Sequence, residues 1–157
     1  MKKLLFLATV VFVVTALICP AQEAKPDFTG KWVLDKAKSD FGQMPAPDTM
    51  SRVIDHKEPK MKIAETGKSE RGERSSERNI TTDGRENKNI FGSVEFVSRS
   101  KWEGKRLATE GKLKTQNGDF EINETMELNE DGKVMSLNRT FKGPQGEATQ
   151  KLTLNKE

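Results

Sequence analysis

From residue 49 onward the chain repeats one pattern: a short stretch of alternating apolar and polar residues, followed by a turn. Successive side chains of a β-strand point to opposite faces, so the alternation gathers the apolar residues of each stretch on one face. The segments 103–105, 116–119 and 130–132 carry the glycine, asparagine and aspartate typical of tight hairpin turns. The pattern therefore predicts an all-β fold built from sequential hairpins.

The even spacing of these stretches favours an antiparallel up-and-down meander that closes into a barrel of about 8–10 strands. The apolar faces of the strands are then the interior, and their residues are candidates for lining a ligand site. In chain order, these candidates are Ile54, Ile63, Phe96, Trp102, Leu107, Leu113, Phe120, Ile122, Glu124 and Met126.

Glu124 is the one acidic member of that set. A carboxylate that points into a barrel needs a partner, and Arg99, Arg139 or the polar head of a ligand are the candidates. The alternative is a bulge or a shifted register that turns Glu124 outward. Arg52, between Met50 and Ile54, raises the same question.

The stretch 27–35 is predicted to be the first strand, with Phe28, Gly30, Trp32 and Leu34 on one face. A glycine two positions from a large indole indicates a crowded place where another backbone passes close by. We expect Trp32 to pack at the bottom of the barrel and Trp102, at the end of a later strand, to lie at the other rim.

Two segments have weaker signals. Residues 36–48 are predicted to form a short helical turn ended by Gly42 and a proline-rich link, either a surface loop or a plug carrying Phe41 or Met44 across one end of the barrel. Residues 67–89 hold one large apolar residue, Ile80, among alternating charges. We expect two long polar strands joined by a hairpin turn at 83–84 and rising beyond the barrel, with a mobile flap as the alternative.

Residues 1–21 have the features of an export signal. Lys2 and Lys3 precede an apolar run of about 15 residues, shorter than the roughly 20 that a membrane span needs. We place the cleavage after Ala21, which leaves a single domain at 22–157. A lipoprotein modified at Cys19 is the less favoured alternative, because the bulky Ile18 precedes that cysteine.

The mature chain offers little chemistry. Without Lys2 and Lys3, 25 basic residues stand against 24 acidic ones, and the signs alternate, which argues against nucleic-acid binding. Cys19 leaves with the signal, so no disulfide is expected. His56 is expected at a solvated strand end, with haem ligation as a remote alternative. No serine lies in a nucleophile context, and we expect neither metal nor cofactor.

Gly30, Lys31 and Trp32 on a first strand resemble the GxW signature of lipocalins and their calycin relatives. In that group an arginine from a late strand covers the tryptophan, and Arg139 matches it by position. The segments 38–42 and 45–47 and the late turns at 131–133 and 143–146 resemble small secreted bacterial lipocalin-like proteins of uncharacterised function. The resemblance implies a calycin-type barrel, although the chain lacks the usual disulfides and C-terminal helix.

The sequence leaves three candidate functions. The first is an exported, non-catalytic and monomeric binding protein, periplasmic or secreted, that holds a small hydrophobic or amphipathic molecule. The second is a structural or interaction protein of the cell envelope whose barrel is filled by side chains. The third, a hydrolase or isomerase, has no support from the residues. The mature chain is expected to have no membrane span.

Overall fold

The computed structural model describes residues 24–116 and 118–157, so the predicted signal at 1–21 and its cleavage site lie outside the described residues. The described part is all-β, as predicted. Its ten strands are β1 (Gly30–Leu34), β2 (Thr49–Lys57), β3 (Lys60–Ser69), β4 (Gly72–Thr81), β5 (Asp83–Phe91), β6 (Val94–Glu103), β7 (Arg106–Thr115), β8 (Gly118–Leu128), β9 (Val134–Gly143) and β10 (Gly146–Lys156).

All ten strands belong to one antiparallel sheet with the order β4-β3-β2-β1-β10-β9-β8-β7-β6-β5. Strands that follow one another in the chain are neighbours in the sheet, apart from β4 and β5. The first and last strands pair with each other, Trp32 opposite Lys156 and Leu34 opposite Leu154. The predicted meander is confirmed, and it forms a nearly closed barrel.

The barrel has one seam, between β4 and β5, which stand at the two ends of the strand order. The prediction of two polar strands joined as a hairpin at 83–84 is wrong, because the charged residues of β4 pair instead with β3. Lys62 Nζ lies 2.9 Å from Glu77 Oε1 across that ladder. The side chain of Asn89 bridges the seam: its Oδ1 accepts from Asn79 N at 2.7 Å, and its Nδ2 donates to Asn79 O at 3.0 Å.

The interior surface of β6–β10 is organised in rows of side chains in register. The lower row is apolar, the next row is polar and charged, and two upper rows are mostly apolar. The lower row is Trp102, Leu107, Met126, Leu137 and Leu152; the charged row is Ser100, Thr109, Glu124, Arg139 and Gln150; the first upper row is Ser98, Gly111, Ile122, Phe141 and Ala148; the second upper row is Phe96, Leu113 and Phe120.

The charged row divides the barrel into a sealed half below it and an upper half above it. The sealed half holds the hydrophobic core, and its residues include Phe28, Trp32, Ile54, Met61, Ile63, Leu107, Met126, Met135, Leu137 and Leu154, each at most 2% exposed. Burial of this apolar surface is the main stabilising term of the fold, since each fully buried large side chain contributes about 1.5–3 kcal/mol.

Residues 35–48 complete the wall where β1 is too short to accompany β10. Asp40 exchanges two backbone hydrogen bonds with Lys151, both of 2.7 Å. Ser39 Oγ accepts from Thr153 N at 2.9 Å, and Phe41 packs against the core. The segment is thus bonded along β10 rather than laid across a barrel end as a plug. The predicted helical turn is one 3-10 turn, Lys36–Lys38.

Gly42 follows at φ +56°, where an added Cβ would collide with the carbonyl oxygen of Thr149. A glycine is therefore required at the place where the chain passes closest to β10. This contact explains why a glycine ends the segment 38–42, one of the segments that resemble small secreted bacterial lipocalin-like proteins.

A lysine covers the first tryptophan. Lys156 Nζ lies 5.2 Å from the centroid of the Trp32 ring, and a Cβ on Gly30 would stand 2.6 Å from Lys156 Cε. Gly30 thus leaves space for Lys156 to reach the indole. A cation placed over an indole ring stabilises the fold by about 0.5–2 kcal/mol. The resemblance implied that Arg139 covers this ring. That expectation is wrong, because Arg139 instead binds Glu65 and Glu124.

Candidate functional site

Five charged side chains meet in the middle of the barrel: Arg52, Glu65, Arg78, Glu124 and Arg139. We call them the charged cluster. Arg52 Nη1 and Nη2 donate to the two oxygens of Glu124 at 3.1 and 3.0 Å, and Arg52 Nη2 donates to Glu65 at 2.6 Å. Arg139 Nε donates to Glu124 at 2.7 Å and its Nη2 donates to Glu65. Arg78 Nη2 donates to Glu124.

The cluster joins opposite walls of the barrel. Strands β2, β3 and β4 supply Arg52, Glu65 and Arg78, whereas β8 and β9 supply Glu124 and Arg139. Arg52 is 0% exposed and Glu124 2%, but the side chains of Arg78, Arg139 and Glu65 are 11, 13 and 23% exposed. Water therefore reaches part of the cluster.

Three guanidinium groups face two carboxylates, so the charged cluster has a net charge of +1. Burial opposes ionisation of both acids, but Arg139 and Arg52 outweigh it and lower the pKa of Glu65 to about 2. The pKa of Glu124 is likewise held well below its usual value by Arg52, Arg78 and Arg139 against the effect of burial. Both glutamates are ionised at neutral pH.

Arg78 is the member with the least compensation. A guanidinium carries five N–H donors, and the hydrogen-bond partner of Arg78 among the described residues is Glu124. Burial lowers the pKa of Arg78, with Glu124 opposing that effect and the other two arginines adding to it. Arg78 therefore has N–H donors beyond those that Glu124 engages, and an anion is a chemically suitable partner for them.

Above the charged cluster the interior wall is apolar and half-buried. Leu113, Phe120, Ile122 and Phe141 all face inward by register, yet none is fully buried. The ring of Phe120 lies against Gly143, whose added Cβ would stand 2.5 Å from Phe120 Cε1. An interior wall that solvent reaches is what an open binding cavity requires.

The predicted lining residues lie in three places. Phe96, Leu113, Phe120 and Ile122 belong to the upper half. Glu124 lies in the charged cluster, as the inward interpretation predicts, with Arg139 as a partner; Arg99 instead pairs with Glu86, 3.1 Å away, on the outer face. The remaining five are packed in the sealed half with the core: Ile54, Ile63, Trp102, Leu107 and Met126.

Trp102 lies at the same end as Trp32, contrary to the expectation of opposite rims. Its ring stacks on Phe28 with centroids 5.9 Å apart, and its Nε1 donates to Glu58 Oε1 at 2.8 Å. His56 is buried rather than solvated: Nδ1 accepts from Phe28 N at 3.4 Å and Nε2 lies 3.0 Å from Glu58 Oε1. Both ring nitrogens are thus engaged within the protein.

Sequence reasoning missed Glu65 and Arg78 as interior residues. Ser98 Oγ is a buried side-chain atom without a hydrogen-bond partner within the described ranges. Its row places it beside Gly111 and one step above the charged row. The alternation of β3 assigns Glu65 to the inner face with Met61 and Ile63, and that alternation was the available signal.

Two depressions lie on the surface of the barrel. One, of about 610 Å³, is on the outer face of β5–β8 among charged side chains such as Arg99, Glu110 and Lys112. The other, of about 400 Å³, lies at the seam beside Asn79 and Asn87. Residues 24–116 and 118–157 contain no group of acidic, histidine or cysteine side chains suited to a metal ion, and no helix long and apolar enough to span a membrane.

The fold is that of the calycin barrels, a class that includes the lipocalins. No protein-family model and no curated protein matches the chain by sequence. Solved structures with the same fold include zebrafish ileal bile acid-binding protein complexed with cholic acid, with 17% identity, a TM-score of 0.55, and coverage of 83% of this chain and 98% of that one.

Human cRBP IV is 16% identical, with a TM-score of 0.57 and coverage of 83% of this chain and 98% of that one. Secretory abundant heat soluble protein 4 from Ramazzottius varieornatus is also 16% identical, with a TM-score of 0.58 and coverage of 85% and 96%. At these identities the similarity establishes the barrel fold.

Proposed function

We propose that this protein is a non-catalytic binding protein that holds a small amphipathic molecule in the upper half of its barrel. The observation that carries the proposal is an inward-facing apolar wall, accessible to solvent, directly above a buried cluster of net charge +1. The zebrafish structure with cholic acid, an acidic amphiphile, supports a ligand of this class.

The ligand's head is proposed to be anionic and to contact Arg78. The apolar part then lies against Leu113, Phe120, Ile122 and Phe141. This orientation compensates the extra positive charge of the cluster and keeps the apolar part away from water.

We further propose that the chain is exported, with cleavage near Ala21, and acts as a monomer in the periplasm or outside the cell. The positive and then apolar composition of residues 1–21 supports export. Mass spectrometry of the protein recovered from each cell fraction tests both points, since uncleaved protein in the cytoplasm would contradict them.

Isothermal titration calorimetry with dodecanoate and the neutral dodecanol tests the binding site. Tryptophan emission is a poor reporter, because Trp32 and Trp102 lie in the sealed half. Phe141→Ser should weaken the binding of both ligands, whereas Val53→Ser, which removes an exposed outer residue, should change neither.

Arg78→Met tests the head group, since it should lower the affinity for dodecanoate about tenfold and leave that for dodecanol nearly unchanged. If dodecanoate, dodecanol and cholate all fail to give saturable binding to the unmodified protein, the proposed function is refuted.

A structural or interaction protein of the cell envelope is the second candidate. The specific observation in its favour is the side-chain filling of the sealed half, where the core residues leave no surface open to water. Absence of binding by all three probes, together with recovery of a specific envelope protein by cross-linking in cells, would favour this candidate.

A further inference from the structure

We propose that the charged cluster is the floor of the binding space and that it sets the length of ligand chain the barrel buries. The inference rests on the proposed function, because it assigns a limit to the same site. It concerns specificity: compact or medium-length amphiphiles are buried whole, and longer ones project from the barrel.

The charged cluster crosses the barrel from wall to wall. Arg52 on β2 holds both oxygens of Glu124 on β8, and Arg139 on β9 reaches back to Glu65 on β3. The charged groups of these side chains are fixed to one another by charge-assisted hydrogen bonds across the barrel. They therefore do not swing aside as an unpaired long side chain would.

Packed, buried side chains lie directly beneath the floor. Arg52 Nη1 lies 3.1 Å from Met126 Sδ, and Met126 belongs to the lower row. Met126, Leu137 and Leu107 are at most 1% exposed. A ligand whose alkyl chain passed the charged cluster would have to displace the packed core.

The space above the floor has a limited depth. Glu124 stands six positions from Gly118, the first residue of β8. At roughly 3.3 Å per residue and a typical barrel tilt of about 40°, the floor lies about 15 Å below the rim. An extended alkyl chain advances about 1.3 Å per carbon, so roughly 12 carbons fill this depth.

Calorimetric titration with unbranched carboxylates from hexanoate to octadecanoate tests the limit. With the head on the floor, each methylene buried against the upper wall should raise the affinity up to about fourfold. The gain should stop near 12 carbons. Affinity that keeps rising steadily to octadecanoate overturns the inference.

Two variants change the packing above and below the floor, respectively. Ala148→Phe fills the first upper row and should move the break to shorter chains by several carbons; Ala148→Leu is the substitute if that variant does not fold. Leu137→Ala opens space in the sealed half and should leave the break where it is. A break that moves to longer chains in Leu137→Ala shows that ligands pass the cluster, which overturns the inference.

The two proposals fail in different ways. If no carboxylate of any length binds the unmodified protein, the proposed function fails, and with it the limit. If carboxylates bind but Leu137→Ala moves the break to longer chains, the binding function stands and the role of the charged cluster as a floor is refuted.

Discussion

Replacing Glu124 with glutamine removes one of the two negative charges that balance three buried arginines. In the native protein Glu124 accepts hydrogen bonds from Arg52, Arg78 and Arg139 and is 2% exposed. Glutamine keeps the shape of the side chain, but the cluster then holds three guanidinium groups and one carboxylate. The change therefore isolates the charge of Glu124 from its packing.

The expected loss of stability is about 3–5 kcal/mol, the range for removing one partner of a buried ion pair. For a domain of this size the unfolding entropy is about 0.28 kcal/mol per degree, so the midpoint of thermal unfolding should fall by at least about 10 °C.

Urea unfolding followed by tryptophan emission measures the effect, since Trp32 and Trp102 report on the core below the cluster. The midpoint should fall without a change in the slope. Glu127→Gln, on the outer face of the same strand, is the matched control and should change stability by less than about 0.5 kcal/mol.

Combining Glu124→Gln with Arg78→Met restores the net charge of +1, so the double variant should be more stable than the sum of the single losses indicates. A loss below about 1 kcal/mol for Glu124→Gln, or strictly additive effects in the double variant, would refute the reasoning.

Three further outcomes are expected. Stability should be fully present above pH 4.5, the ordinary pKa of a glutamate, and should decline as the pH falls towards about 2, because the pKa of Glu65 is lowered to that value by its arginines; a flat acid profile contradicts this. Asn89→Ala should cost about 1–3 kcal/mol and speed amide exchange at Asn79, whose backbone it leaves unbridged, while exchange in the β9–β10 ladder stays slow. Gly30→Ala should destabilise by about 1–3 kcal/mol, because its φ is +140° and Lys156 occupies the space, whereas Lys156→Met should lose at most about 1 kcal/mol; equal losses would show that packing and not backbone geometry governs the position.

The sequence was sufficient to predict the meander because the apolar alternation of β6–β10 is strong and the turns between those strands are well marked. The inward alternative for Glu124 followed from the same alternation, and of the candidate partners named for it Arg139 is the one that binds it. Arg99 failed as a candidate because its place on β6 turns it outward to Glu86.

Where both faces of a strand are polar, the alternation carries no contrast, and this limited the prediction for β3 and β4. Arg78 lies among the polar and charged residues of β4, and Glu65 stands where the apolar alternation of β3 ends, so neither interior charge was distinguished from the solvated ones. The turn at 83–84 was predicted as a hairpin because its residues favour one, but whether two strands then pair depends on the closure of the whole sheet, which no local pattern encodes.

The pairing of β1 with β10 bears on the order in which the molecule assembles. Lys31 and Glu157 form an ion pair of 2.5 Å although they are 126 positions apart in the chain. During synthesis, the early strand therefore keeps one edge unsatisfied until β10 has emerged from the ribosome. Such non-local closure makes folding slow, and it leaves a long interval in which the chain is open to chaperones.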